Sequence, residues 1–161
     1  MQHPRRLTGV GALAALGLLL SPTAALAHGG GDDLVDADLV PSMPADQAID
    51  HVKPGAAPWI LGDGKVRVRA DGRMDVEIEG LQIPDFQGLG DRNPVTSIRA
   101  VLHCGGTAAG DSGPRPMSDP AGDAKLRVWL SVPRQCAKAT VLIKPAGADV
   151  YIASAVAGDR D

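Results

Sequence analysis

From Trp59 onward the chain is written in short runs in which every second residue is apolar. Alternation with a period of two marks strands that bury one face and wet the other. The clearest pair is 65–70 and 73–79, separated by Asp71-Gly72. A two-residue loop would set Val68 opposite Asp75 and mix the two faces. A three-residue loop, Ala70-Asp71-Gly72, places Gly72 at the left-handed bulge position that glycine suits. That register pairs Val68 with Met74 and Val66 with Val76 on the core side. On the other side Arg67 meets Asp75 and Lys65 meets Glu77, opposite charges in both cases.

Gly80 then interrupts the second strand, and Leu81 and Ile83 fall on the other phase, as a bulge or a sheet-switching bend requires. Further strands are predicted at 95–104, 124–132, 140–144 and 150–156, with a short edge strand near Met117 inside a Gly/Pro/Ser-rich loop. Ile98, Ala100, Leu102 and Cys104 share one phase, with His103, Arg99 and Ser97 on the other. In 124–132, Leu126, Val128 and Leu130 face in. About seven or eight short strands with turn signals between them and no long helix specify an antiparallel, Ig-like β-sandwich. The domain is expected over 58–157, followed by a short C-terminal tail at 158–161. Residues 28–57, rich in Gly, Pro, Asp and Ala, read as a flexible N-terminal arm with room for one helical turn at 45–52.

The first 27 residues have a different grammar. Arg5-Arg6 precedes an apolar run over 7–20 and a small-residue end at Ala25-Leu26-Ala27, the layout of a secretory signal peptide. The run is too short to span a bilayer core of about 30 Å, and no second one follows, so no membrane span is expected in the mature chain. Both Arg residues lost with the signal come off a total of 16 basic residues, leaving 14 against 19 acidic, a net −5. No basic stripe exists for nucleic acid to follow. In an oxidising compartment the two cysteines, Cys104 and Cys136, read as one disulfide at the edge of the core.

Three strings invite chemistry. Gly110-Asp111-Ser112-Gly113-Pro114 resembles the nucleophile segment of trypsin-like serine proteases, but His103 and Ser112 lie within one loop region, whereas that chemistry assembles its triad from distant parts of a longer chain. Cleavage after Ala27 would make His28 the N-terminus, and an α-amine plus its own imidazole chelates copper when a second histidine, His51 or His103, completes the site. The flexible Gly-Gly-Gly-Asp-Asp that follows His28 does not preorganise such a site. Asp-rich turns at Asp32-Asp33, Asp63, Asp71, Asp91 and Asp119 with Asp123 lack EF-hand spacing, and Asp in turns bonds nearby backbone amides. Trp129 is out of phase with its core neighbours; a bare Trp is uncommon, so a covering loop or the N-terminal arm is expected over it.

Ala57-Pro58-Trp59-Ile60-Leu61, the stretch 64–84 ending in Gly80-Leu81-Gln82-Ile83-Pro84, the Cys104 strand, Val141-Leu142-Ile143 after Cys136, and Tyr151-Ile152-Ala153 resemble a group of small exported actinobacterial proteins. The resemblance covers about residues 57–157. It implies a secreted domain with one cysteine pair and a variable arm, and no activity. The expectation is thus a monomeric, non-catalytic module without cofactor that binds an extracellular or cell-envelope partner. The alternative is a copper-binding protein using His28 and His103. Intact-mass spectrometry of the exported protein checks the premise of both. The mass should begin at His28 and rise by two hydrogens on reduction.

Overall fold

The computed structural model describes residues 33–158. The expected signal peptide, His28 and the last three residues of the C-terminal tail lie outside the described residues. Among them the chain forms β1 (Asp33–Asp38), β2 (Val40–Pro41), β3 (Lys53–Pro54), β4 (Asp63–Arg69), β5 (Arg73–Glu79), β6 (Ser97–Cys104), β7 (Thr107–Asp111), β8 (Arg115–Pro116), β9 (Ala124–Trp129), β10 (Thr140–Pro145), β11 (Val150–Tyr151) and β12 (Ala153–Val156). A four-stranded antiparallel sheet runs β1-β4-β5-β9. The larger antiparallel sheet runs β2-β12-β10-β6-β7, with β8 also on β6, and β11 and β3 make a short parallel pair.

The β4–β5 hairpin has the expected register: Val68 faces Met74, Val66 faces Val76, Arg67 faces Asp75 and Lys65 faces Glu77. Gly72 sits at φ +96 and its N–H donates to the Arg69 carbonyl. The inward set of this sheet (Val66, Val68, Met74, Val76, Ile78, Leu126) packs in one cluster with Ile98, Ala100, Leu102, Val141, Ile143 and Ala153 from the other. Full burial of a Val, Ile or Met side chain stabilises by about 1.5–3 kcal/mol, so this interleaved layer is the main source of stability. The fold is therefore an all-β sandwich of antiparallel sheets. It has twelve short strands among the described residues, where seven or eight were expected.

The extra strands come from two segments without a strand signal and from the expected 150–156 strand, which divides at Ile152 into β11 and β12. The stretch from Asp33 to Pro54 is no flexible arm. β1 pairs with β4, β2 with β12 and β3 with β11. Val35 and Leu39 are buried in the main core. The prolines that forbid a helix or central strand are compatible with edge pieces, and Pro41 and Pro54 occupy such pieces. No helical turn forms at 45–52; instead Ile49 and Val52 exchange both backbone hydrogen bonds across a two-residue turn. The second segment is β7, which reads as loop because Thr-Ala-Ala-Gly-Asp carries no alternation.

Gly80 does end β5, at φ +67, and Leu81 beyond it is fully buried. Cys104 and Cys136 are bonded, with Cα atoms 4.7 Å apart, and pack half-buried against the core. The bond ties the end of β6 to the chain entering β10. Closing a loop of that length is worth about 3–4 kcal/mol in the chain-entropy account.

A Cβ on Gly72 would stand 2.3 Å from the Leu130 carbonyl oxygen, whose own N–H donates to the Gly72 carbonyl. Gly72→Ala should therefore cost at least about 2 kcal/mol in chemical denaturation, combining left-handed strain with a backbone clash. Gly88→Ala, at φ +73 with open space around it, should cost only the left-handed strain, about 1 kcal/mol.

Candidate functional site

Strand alternation that buries one side of the four-stranded sheet projects a second set of side chains outward, and these are almost all charged. Across the strands, Asp36, Arg67, Asp75 and Arg127 form one row. Asp38, Lys65, Glu77 and Lys125 form the next. The sign therefore alternates strand by strand, with four acidic and four basic groups in the two rows. Lys65 pairs with Asp36 at 3.3 Å, Arg67 with Asp33 at 2.6 Å and Lys125 with Glu77 at 2.6 Å. Asp75 receives Arg73 at 2.9 Å and Arg127 at 3.5 Å. Hydrogen bonding to Asp33 raises the Arg67 guanidinium above its ordinary pKa, and Lys125 holds the Glu77 carboxyl below its own. Exposed pairs of this kind add little to stability. Their effect is to set a carboxylate beside each of these cations.

An open groove of about 290 Å³ lies on this face, lined by Lys65, Arg67, Arg73, Asp75, Glu77 and Arg127. Trp129 projects from the same face of β9, directly opposite Arg73 in the β5–β9 register. Its fractional exposure is 71%, against 4% for Trp59 and 2% for Tyr151. The expected cover over Trp129 is absent among the described residues, for a topological reason. The N-terminal segment lands on β4 and on the larger sheet, whereas β9 is the opposite edge of the four-stranded sheet.

That N-terminal segment instead lies over the outside of the larger sheet, where Ile49, Val52, Leu142 and Tyr151 form a second small core. His103 lies on the outer phase of β6, as the alternation implies, yet it is only 4% exposed. Asp50 covers it, with the carboxylate Oδ2 3.4 Å from the imidazole Nδ1. Neither imidazole nitrogen nor that oxygen has a hydrogen-bond partner within the protein. Asp50 and His51 both adopt left-handed backbone, at φ 49 and 68. Asp and His are among the few non-glycine residues that enter this left-handed region with any frequency. Beyond His103, Lys144 is buried and ion-paired with the exposed Asp149, whose carboxyl it holds below its ordinary pKa.

Among the described residues the Gly110–Pro114 string assembles no Ser-His-Asp triad. The Ser112 hydroxyl is buried, accepts the Ala100 N–H at 2.9 Å and donates to the Gly113 carbonyl at 2.9 Å. It is held by backbone on both sides, while His103 faces Asp50. Of the proposed copper ligands, His51 is at the exposed tip of its turn and His103 is beneath it. Among the described residues no three His, Cys, Asp or Glu side chains gather as a metal site. Asp71 accepts the Arg73 N–H and Asp91 that of Asp85, as turn chemistry requires, whereas Asp123 reaches across the fold to accept the Gly80 N–H. Asp50 and the Lys144–Asp149 pair carry no sequence signal beyond a lone charge next to apolar neighbours. No helix among the described residues is long and apolar enough to cross a membrane.

No protein-family model, curated protein or solved structure matches the chain.

Burial pushes the His103 pKa below its ordinary value; Lys144 acts in the same direction, and Asp50 and Asp149 oppose it. The folded protein thus favours neutral His103, while the unfolded chain takes up its proton near pH 6.5. Stability should be full above that pH and fall as the pH drops through it toward the lower folded value. His103→Gln should flatten this slope in denaturation curves taken at about pH 7.5, 6 and 5. An equal slope in both proteins would place the titration elsewhere.

Proposed function

We propose that this chain is a secreted, monomeric, non-catalytic binding module that associates with the cell envelope through the outer face of its four-stranded sheet. One observation carries the reading: Trp129 stands 71% exposed on a flat, ion-paired face. An indole left in water sacrifices the stabilisation of burial, and Trp and Arg are the residues that most often anchor binding. Here three anchors of that kind, Trp129, Arg73 and Arg127, share one edge of one sheet. The signal-like segment at 1–27 supports export, and the disulfide suits an oxidising compartment.

The protein should co-sediment with isolated, insoluble actinobacterial cell-wall material. Trp129→Ala should lower the bound fraction by about tenfold or more, as loss of a binding anchor does, with an unchanged melting temperature. Equal sedimentation of both proteins would remove this face from consideration. The unpartnered nitrogens of His103 favour the competing reading, copper bound with His28. Copper binding would be indifferent to Trp129→Ala and would vanish when an Ala is added before His28.

A further inference from the structure

We infer that the ligand of this face is a neutral, hydroxyl-rich polysaccharide strand; the inference rests on the binding reading above and names its chemistry. Three properties of the face select that class.

The first is its electrical balance. Each cation of the groove already has a carboxylate beside it: Lys65 has Asp36, Arg67 has Asp33, and Arg73 and Arg127 share Asp75. A polyanion laid along β4 would meet acidic residues of β1 and β5 on its two flanks, and one laid along the edge strand β9 would meet those of β5 on its inner flank. A polycation fares no better. A neutral chain meets no such repulsion.

The second is the supply of both donors and acceptors in fixed places. Sugar hydroxyls donate and accept at once. An ion-paired Arg and Asp present spare guanidinium N–H groups next to spare carboxylate lone pairs, each held in position by the other. Arg73–Asp75–Arg127 is such a unit, and it lies next to the indole, since Arg73 faces Trp129 across the strands and Arg127 is two residues before it.

The third is Trp129 itself. The C–H face of a pyranose ring is apolar and faintly positive, and the face of an indole is apolar and faintly negative. Stacking the two covers apolar area without removing any hydroxyl from water or from the Arg and Asp groups nearby. A protein partner would need a broader apolar patch than a single indole in a charged field. A second copy could align its alternating signs with this face by a two-fold axis parallel to the strands. That would desolvate charges already paired within each copy, for little gain.

The test uses the full exported protein and the same cell-wall material after three separate pretreatments. Periodate followed by borohydride opens vicinal diols, protease removes wall proteins, and cold hydrofluoric acid strips phosphate-linked polyanions. Binding should fall about tenfold after periodate and survive the other two. It should also hold as salt rises from about 0.1 to about 0.5 M, where a polyanion contact would be screened. Asp75→Asn, which leaves Arg73 and Arg127 unpaired, should weaken wall binding and create salt-sensitive retention on heparin. Sensitivity to protease would identify a protein partner, and sensitivity to hydrofluoric acid or salt a polyanion; either overturns the inference while leaving the binding module in place. Concentration-dependent dimerisation in analytical ultracentrifugation that Trp129→Ala abolishes would assign the face to a second copy and overturn it as well. No Trp129-dependent binding to untreated walls would overturn the binding reading itself.

Discussion

The register of the β4–β5 hairpin is the constraint on which the rest of the small sheet depends. A slip of one residue would turn Val66, Val68, Met74 and Val76 to water and send Arg67 and Asp75 into the sandwich. Gly72 prevents the slip. Its left-handed backbone closes the three-residue loop, and its carbonyl takes the Leu130 N–H just beyond β9. The same register that buries the valines puts Lys65 opposite Glu77 and Arg67 opposite Asp75. Core packing and the charge lattice are thus two faces of one alignment.

The larger sheet solves a different problem. Its inner face meets the small sheet, and its outer face carries Leu142 together with His103, Arg99 and Lys144. Such a mixture is covered by residues 42–54, which contribute Val52 and Ile49 to a second core and Asp50 to the imidazole. The cover is fastened by side-chain contacts across the fold: Tyr151 donates its hydroxyl to the Gln47 carbonyl, and Ser42 donates to the carbonyl of Tyr151. The left-handed turn at Asp50-His51 belongs to the same fit, since it is the backbone conformation that carries Asp50 over His103.

These two solutions leave the molecule with unequal outsides. Covering the larger sheet uses the described N-terminal segment, so among the described residues nothing lies over the outer face of the small sheet, and one indole stands exposed at its edge. The ion pairs on that face do little for folding. Their consequence is a surface on which cations and carboxylates alternate as paired donors and acceptors, with Trp129 at one corner.

Much of this was legible in the residues alone. Alternation located β4, β5, β6 and β9, because a strand with one wet face must repeat every two residues, while the apolar run Val141-Leu142-Ile143 marked β10, which is buried on both faces. The charges of Arg67, Asp75, Lys65 and Glu77 singled out the hairpin register, and two cysteines implied their own bond. Edge pieces such as β1, β2, β3 and β7 were not legible, since two to six residues of mixed polarity have no period to detect. Their burial depends on a sheet face that exists only once distant strands have paired. The same holds for the site. Alternation turned Trp129 and His103 outward, but only the tertiary arrangement decided that Asp50 would cover the histidine and that nothing among the described residues would cover the tryptophan. Which side a residue faces is local geometry; what stands in front of it is set by where remote chain comes to rest.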